Sequence, residues 1–365
     1  MWEKDLMETV KLGLLIKKTK VARCGEHSYP VLSITKQDGI IMQSEKFKKR
    51  IASADTSDYK IIPRGKLVQG IHIDEGNFGI QDIVDNGIVS PAYGVWDIND
   101  GLVIPKYLEM VLRSPKSIEF YRSKLTGTVN RRGHMSDADF LSMDIPLPDR
   151  DTQSKILKTM KQTTSVLYSR QQQLAKLDEL IKARFVEMFG DPYTNSKDYP
   201  LKKGESFFKL SNGKAVPESK RLNGGIPAYG GNGISWYTDE SLFDADTIVV
   251  GRVGFQSGNV HLVKGPLWVT DNAMYMSSCD FSQYNLTFLI ELMAHVDFTK
   301  FQDAGDLKKI TQKPFMQFEY LCPPLSLQNQ FAAFAAEVDK SKVEVQKALD
   351  QTQLLFDSLM QQYFG

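Results

Sequence analysis

The chain has 365 residues, 42% of them hydrophobic and 24% charged, with a formal net charge of +1 at pH 7. This ordinary globular composition can fill two or three cores, and no run approaches the roughly 18 apolar residues of a membrane span. Cys24, Cys279 and Cys322 are few and far apart, and the start of the chain is acidic and polar. We therefore expect no disulfide framework, zinc site or secretory signal, and a cytoplasmic location.

The first module is predicted to mix strands and helices. Runs rich in β-branched and aromatic residues predict strands at 29–35, 59–63 and 87–98, and an amphipathic run predicts a helix at 105–123. A basic, Gly-containing loop at 125–140 closes the module. Basic clusters in such loops can contact phosphates, although most are solvated surface charge. The DNA-binding candidates of this module are Lys48, Lys49, Arg50, Arg64, Asn130, Arg131 and Arg132.

The segment 151–189 contains neither proline nor glycine and predicts a long helix. Apolar residues recur every seven positions on a Lys-, Gln- and Glu-rich background, which favours a coiled-coil seam over the wider stripe of a core helix. Asp151 or Thr152 would cap its start, and Gly190 with Pro192 would end it. The predicted seam residues are Met160, Leu167, Leu174, Ile181 and Met188.

No segment of the sequence predicts catalysis. The stretch "GDPYTN" at 190–195 superficially resembles the Asn-Pro-Pro-Tyr loop of adenine methyltransferases, but a predicted helix precedes it, where that enzyme class needs a strand and a methyl-donor loop. The histidines lack metal-ligand spacing; they are His27, His72, His134, His261 and His295. We expect this chain to hold no metal and no cofactor and to be no enzyme.

The second module repeats the order of the first. A hairpin is predicted at 225–238, a strand at 245–254, a strand pair within 258–277 and a helix at 285–296, before a second basic loop at 301–315. The glycine pairs in "YGGNGISW" and "GRVGFQSG" are typical of tight turns, yet a Gly- and Asn-rich loop with an Arg can also approach a DNA backbone. The DNA-binding candidates here are Lys220, Arg221, Asn232, Arg252, Lys308, Lys309 and Lys313.

A second long helix is predicted at 326–364, and it marks an internal repeat. The offset of 175 positions from Gly190 to Gly365 also places Gln153 on Gln328. This offset is a whole number of heptads, so both helices share one register, and each would span roughly 55–60 Å at 1.5 Å per residue. The predicted seam residues of the second helix are Val338, Val345, Leu349, Phe356, Leu359 and Tyr363.

These features together resemble the specificity subunits of type I restriction-modification systems. A Pro-rich segment precedes each helix ("IPLP" at 145–148, "PPLSLQNQF" at 323–331), and "RFVEMFGDP" stands at the central junction. The resemblance spans the chain and is strongest in the helices, in "GGNGISWYTDESLFDADTIVVGRVGFQSGNV" and in "WVTDNAMY"; the first module matches in outline. It implies target recognition domains and spacer helices in the order 1–148, 149–191, 192–323 and 324–365.

The resemblance also implies a fold and a function. The fold would be α/β or α+β, a pseudo-twofold repeat of two modules with twisted sheets, separated by an antiparallel coiled coil. Each module would read one half of a split target in double-stranded DNA, and the helices would set the spacer and dock two methyltransferase subunits. Those partners would bind S-adenosylmethionine, and restriction (motor) subunits would cleave DNA. The chain itself would do no chemistry.

Two alternatives remain open on the sequence. A self-sufficient methyltransferase or nuclease would need a methyl-donor loop or paired acidic metal ligands, and the sequence contains neither pattern. A structural adaptor, whose duplicated modules bind protein, is mildly favoured by the near-neutral charge. Salt dependence discriminates between DNA binding and an adaptor, because neutralising phosphates makes binding steeply salt-sensitive.

Overall fold

A computed structural model of the chain describes residues 8–36, 38–46, 55–125, 135–305 and 308–365. The chain divides into two compact units: unit 1 runs to Ser169 and includes Ala348–Gly365, and unit 2 is Arg170–Lys347. Each unit therefore takes a part of both long helices. In the described ranges no helix is long and apolar enough to span a membrane.

The strands of unit 1 are β1 (Thr9–Lys11), β2 (Ile16–Lys18), β3 (Leu32–Thr35), β4 (Gly39–Met42), β5 (Lys60–Pro63), β6 (Leu67–Gln69), β7 (Phe78–Ile80), β8 (Asn86–Val89), β9 (Gly94–Ile98) and β10 (Asp144–Pro146). Unit 1 is built on an antiparallel four-stranded sheet of order β2-β9-β6-β7. Three two-stranded ladders, β1–β10, β3–β4 and β5–β8, accompany it. The helices are α1 (Leu12–Leu15), α2 (Gln43–Lys46), α3 (Pro105–Leu112), α4 (Pro115–Lys124), α5 (Asp137–Leu141) and the first half of α6 (Arg150–Phe189).

Two elements predicted as continuous in unit 1 are interrupted. The strand expected at 87–98 is two strands, β8 and β9, because Ser90 and Tyr93 close a turn with a 3.1 Å backbone hydrogen bond. The helix expected at 105–123 is α3 and α4, since the Ser114 side chain caps α4 and Pro115 occupies its first position. A proline there starts a helix readily, but it cannot continue one without losing a hydrogen bond.

The strands of unit 2 are β11 (Leu201–Lys203), β12 (Phe208–Asn212), β13 (Ile226–Gly230), β14 (Gly233–Thr238), β15 (Thr247–Gly251), β16 (Val260–Val263), β17 (Trp268–Val269), β18 (Ala273–Cys279) and β19 (Glu319–Leu321). Unit 2 has a four-stranded sheet of order β12-β18-β15-β16 and a three-stranded sheet of order β14-β13-β17. Its helices are α7 (Leu286–Ala294), α8 (Lys313–Gln317), the second half of α6 and the first part of α9 (Leu325–Phe364).

The strand pair predicted within 258–277 is wrong in its partners. Both β16 and β18 pair with β15, which lies between them. The stretch 267–277 is also two strands in different sheets, since β17 pairs in parallel with β13. A turn separates the two strands: Ala273 donates to the Thr270 carbonyl at 3.0 Å.

The two main sheets repeat one arrangement. In each, the first strand (β2 or β12) lies beside the last (β9 or β18), followed by a hairpin (β6–β7 or β15–β16). A short antiparallel ladder then precedes each long helix, β1–β10 in unit 1 and β11–β19 in unit 2. The sheet order shows the internal duplication more clearly than the sparse identities do.

A buried glutamine joins each long helix to its own unit. The Gln153 side chain accepts from the Ile104 backbone N–H at 2.8 Å and donates to the Pro148 carbonyl at 2.8 Å. Gln328 repeats the pattern, accepting from Asn285 at 2.8 Å and donating to Pro323 at 2.8 Å. Ile104 and Asn285 are the N-cap residues of α3 and α7. The repeated glutamine is therefore a structural clamp on the helix of each module.

The long helices pack against each other in opposite directions. In unit 1, Ile156 and Met160 near the start of α6 share a core with Phe364 at the end of α9. In unit 2, Phe189 at the end of α6 contacts Phe331 near the start of α9, with ring centroids 5.8 Å apart. The pairing is antiparallel, as in a coiled coil. All eleven predicted seam residues are buried or half-buried.

The repeated Phe-Gly signature has a structural reason. Phe189 packs edge-on against Phe288 of α7, with ring centroids 4.7 Å apart. Phe364 packs against Tyr107 of α3, with centroids 5.7 Å apart. Each helix end thus fills a core in the unit at that end. Gly190 follows with φ 77°, the left-handed conformation that terminates a helix without strain.

Candidate nucleic-acid interface

One end of the unit 2 sheet gathers the strand ends that carry polar residues. Asn212 pairs with Met274, and Gly251 pairs with Ala273, so β12 ends, β15 ends and β18 begins at this end. The turn of the β13–β14 hairpin lies against it, since a Cβ built on Gly251 would sit 2.8 Å from the Gly231 backbone oxygen. Only glycine permits such close approach of two backbones.

The basic segment 308–313 joins this end of the sheet through backbone hydrogen bonds. Gly254 donates to the Lys308 carbonyl at 2.8 Å, and Ile310 donates to the Arg252 carbonyl at 3.0 Å. Val253 and Lys309 form an isolated antiparallel bridge. Residues distant in sequence are therefore held together. We call this region the basic end of unit 2 and define it by Asn212, Asn232, Arg252, Lys308, Lys309 and Lys313.

A polar recess of about 510 Å³ lies within the basic end. The Gln312 amide donates to the Asn212 side-chain oxygen at 3.4 Å on its wall. The recess is lined by Asn212, Arg252, Thr311, Gln312, Lys313 and Met316. Two cations beside amide and hydroxyl donors are a donor set suited to a phosphate oxygen.

Within the described ranges, the cations of the basic end have no carboxylate as an ion-pair partner. The Arg252 guanidinium donates weakly, at 3.4 Å, to the Asp271 backbone carbonyl, which is not an ion pair. Across the described ranges no carboxylate lies within 4.0 Å of the charged groups of Arg252, Lys308, Lys309 or Lys313. Uncompensated positive charge in loops is what phosphate contacts use.

Two predicted residues of unit 2 lie away from the basic end. Lys220 is ion-paired with Glu240 at 2.6 Å, and this hydrogen bond and attraction raise the pKa of Lys220. Arg221 stacks over the Trp236 ring, with its guanidinium carbon 4.2 Å from the centroid. Both lie toward the open ends of β13 and β14, whereas Asn232 is in the hairpin turn.

Among the candidates of unit 1, Arg64 is described and is held locally. Its guanidinium donates to the carbonyls of Asp82 and Ile83 and lies 3.4 Å from the Asp85 carboxylate. These bonds fasten its guanidinium to the segment 82–85, which directly precedes β8. The other candidates lie outside the described residues: Lys48, Lys49, Arg50, Asn130, Arg131 and Arg132.

Sequence reasoning missed Asn212 of the basic end and three polar residues beside it. Asn212, Asn272, Gln312 and Lys214 all lie near strand ends or in the segment that folds over them. The available signal was position, because Asn212 ends β12 and Asn272 directly precedes β18. Across the described ranges no cluster of three or more His, Cys, Asp or Glu residues could hold a metal ion.

Comparison with known proteins identifies the fold. No family model matches the chain. The S subunit of a type I restriction-modification system from M. genitalium superposes with a TM-score of 0.61 at 14% identity, covering 100% of this chain and 98% of that one. A chain from a structure of type I R-M complex assembly and conformational transition gives 0.61 at 14% identity, covering 98% and 97%. The chain has the fold of these subunits.

Curated relatives share a shorter stretch. A Haemophilus influenzae protein named as a type I restriction enzyme specificity subunit is 23% identical over 120 residues, 32% of this chain and 31% of the relative. The Escherichia coli EcoprrI specificity subunit is 23% identical over 113 residues, 31% of this chain and 28% of the relative. The matched stretch spans about a third of the length of these relatives.

Proposed function

We propose that this chain is the DNA sequence-recognition subunit of a type I restriction-modification complex and performs no catalysis. The likeness to an S subunit over 100% of the chain is the observation that carries the proposal. Unit 1 and unit 2 would each read one half of a bipartite target in double-stranded DNA. The paired helices would set the spacer and dock two methyltransferase subunits, which would bind S-adenosylmethionine. Restriction subunits would join the complex in the cytoplasm.

The duplication supports a bipartite target. Two units with the same sheet order and the same glutamine clamp, joined by antiparallel helices, are suited to an extended ligand that offers two sites. A helix of 40 residues would be roughly 60 Å long at 1.5 Å per residue. Two half-sites would then lie somewhat under two turns of duplex apart, at about 34–36 Å per turn. The domain limits 1–148, 149–191, 192–323 and 324–365 belong to the same proposal.

In unit 2, we propose that the basic end faces DNA. Arg252 and Lys313 would hold a phosphate in the recess, and Lys308 and Lys309 would contact the adjoining backbone. Asn212 and Asn232 carry amides that can pair with base edges as well as phosphates. Phosphate contacts would supply affinity and register, and the amides would contribute to sequence choice.

The test of the whole proposal is methylation in cells. The chain would be co-expressed with its modification subunits, and N6-methyladenine would be mapped across the host genome. Two short blocks separated by a fixed run of unspecified bases are expected. Exchanging residues 192–323 for another such domain should alter one block and leave the other. A stable complex that adds no methylation would favour the protein-binding adaptor.

The test of the basic end uses the purified complex with its modification subunits. Arg252→Ala and Lys313→Ala should each weaken DNA binding across sequences and reduce the slope of log affinity against log salt by about 1. Lys264→Ala is the matched control, because Lys264 is exposed and follows Val263, which pairs with Thr247 at the opposite end of the sheet. Equal salt slopes in all three variants would contradict a phosphate contact here.

A further inference from the structure

Phe255 is a solvent-exposed aromatic residue at the basic end of unit 2. It is 93% exposed, whereas the other exposed large hydrophobics in the described part of the chain reach at most 70%. Single exposed hydrophobic residues are common on protein surfaces, so exposure alone assigns no role. What distinguishes Phe255 is its setting.

The loop that carries Phe255 is fastened at its base. Gly251 donates to the Asn259 carbonyl at 2.9 Å, and Gly258 donates back to Gly251 at 2.8 Å. The Gln302 amide donates to the Ser257 carbonyl at 2.6 Å, tying the loop to a second segment. A side chain displayed on a fastened loop loses less conformational entropy on binding than one on a loose loop.

The loop of Phe255 also carries or contacts cations of the basic end, which have no ion-pair partner within the described ranges. Phe255 follows Arg252 by three residues, and its neighbour Gly254 donates to the Lys308 carbonyl at 2.8 Å. Gly254 has φ 91° and no atom within 4 Å of a built Cβ, so the chain reverses here in a conformation that favours glycine. An apolar ring among cations is unsuited to an apolar protein partner but suited to a polyanion with apolar faces, which is stacked DNA.

The corresponding loop of unit 1 shows the same construction. It joins β6 to β7 as the Phe255 loop joins β15 to β16, and Gly70 donates to the Asn77 carbonyl at 2.8 Å. It displays Ile71, which is 52% exposed. Its other residues include Asp74 and Glu75 in place of cations. The fold thus displays an apolar residue at this position twice, and in unit 2 the surroundings are basic.

We propose that Phe255 is a wedge that inserts between two adjacent base pairs of the half-site read by unit 2, unstacking them and kinking the duplex. The inference rests on the proposed DNA-recognition function and deepens it. Apolar side chains that enter a base step in this way unstack it at a cost that depends on the step. Phe255 would therefore contribute to sequence choice without hydrogen-bonding to any base.

The test uses the complex with its modification subunits and duplexes bearing its mapped target. Phe255→Ala should weaken binding about 10- to 100-fold, the range for losing one base–aromatic contact, while Phe255→Trp should bind within about 3-fold of wild type. Phe281→Ala is the control: Phe281 is 59% exposed and follows β18 at the opposite end of the sheet.

A second readout detects unstacking directly. The adenine analogue 2-aminopurine would replace in turn each adenine, on either strand, of the unit 2 half-site and its flanking base pairs, except the methylated adenine. Its fluorescence should rise at one step with wild type and stay low with Phe255→Ala. A mismatch at that step should tighten wild-type binding and leave the variant unchanged, because the mismatch removes the unstacking cost.

The outcomes separate this inference from the function it rests on. If wild type binds its mapped target and Phe255→Ala matches it in affinity and fluorescence, the wedge is wrong and the recognition function stands. If Phe255→Ala loses affinity but no step brightens with wild type, Phe255 contacts DNA without insertion and the wedge is also wrong. If wild type neither methylates nor binds a specific site, both proposals fail.

Discussion

The buried glutamine clamp of unit 2 allows a sharp stability test, Gln328→Glu. The Gln328 amide is fully buried, donates to the carbonyls of Gln283 and Pro323 at 2.9 and 2.8 Å, and accepts from Asn285. Glutamate keeps the shape and the acceptor but, when ionised, faces two carbonyl oxygens with no donor. Two lost hydrogen bonds are worth about 1 kcal/mol each, and an uncompensated buried charge raises the total to about 3–5 kcal/mol.

The pH dependence of this variant identifies the cause. The carboxyl at 328 should have a folded-state pKa above its unfolded value of about 4.3, because its charged form is buried and unpaired. Stability is then retained below the unfolded pKa, where the protonated acid can still donate one hydrogen bond, and is lost as pH rises through the folded pKa. The variant should therefore approach wild type near pH 4.5 and fall furthest below it at pH 7.5.

Urea unfolding, followed by far-UV circular dichroism at both pH values, measures the difference. Gln351→Glu is the matched control: Gln351 is exposed on α9, so the change should cost less than about 0.5 kcal/mol at either pH. Gln153→Glu should reproduce the effect in unit 1. A loss below 1 kcal/mol at pH 7.5, or one independent of pH, would refute the clamp as described.

Two further predictions concern packing and charge. Phe364→Ala removes a side chain that is 3% exposed and packs on Tyr107, and it should lower the free energy of unfolding by about 3 kcal/mol. The control Leu355→Ala removes an exposed side chain and should lower it by less than about 0.5 kcal/mol. Urea titration measures both values. Burial raises the pKa of Glu291, although charge interactions with His295, Lys182 and Lys342 act to lower it, so wild type loses stability as pH rises through that pKa. The free energy of unfolding of Glu291→Gln should equal that of wild type near pH 4.5. At pH 7.5 it should exceed the wild-type value by about 1.4 kcal/mol for each unit by which burial raises the pKa. If wild type and variant are equally stable at both pH values, burial of the charged carboxylate has no cost.

The long helices could be predicted from sequence because their signal is local. A heptad pattern without proline or glycine, followed by Gly190, defines an element within its own residues, and the observed ends differ from the predicted ones by one residue at the start. The interruption at Ser114 was readable in principle, since Ser-Pro is a helix start. The strand partners of β16 and β18 were not, because pairing depends on residues elsewhere in the chain.

The sequence predicted which residue types the candidate interface contains, but it did not predict which of those residues lie together in the fold. Arg252 and Lys309 are brought together by a backbone bridge across more than fifty residues, which no local pattern encodes. Lys220 looked equivalent in sequence, but Glu240 pairs with it. Gln153 and Gln328 were visible as aligned identities, yet their role depends on three partners from two other segments.

Unit 1 is formed by two separate segments of the chain, and this has a consequence for biosynthesis. Its core is completed by Phe364, in a segment that the ribosome adds after all of unit 2. The nascent chain up to Ser169 thus exposes apolar surface until nearly two hundred more residues have been synthesised and the last part of α9 can bury it. At about 5–20 residues per second that delay is on the order of ten seconds or more. During this interval, unit 1 should depend on chaperones more than unit 2, whose segments are contiguous in the chain.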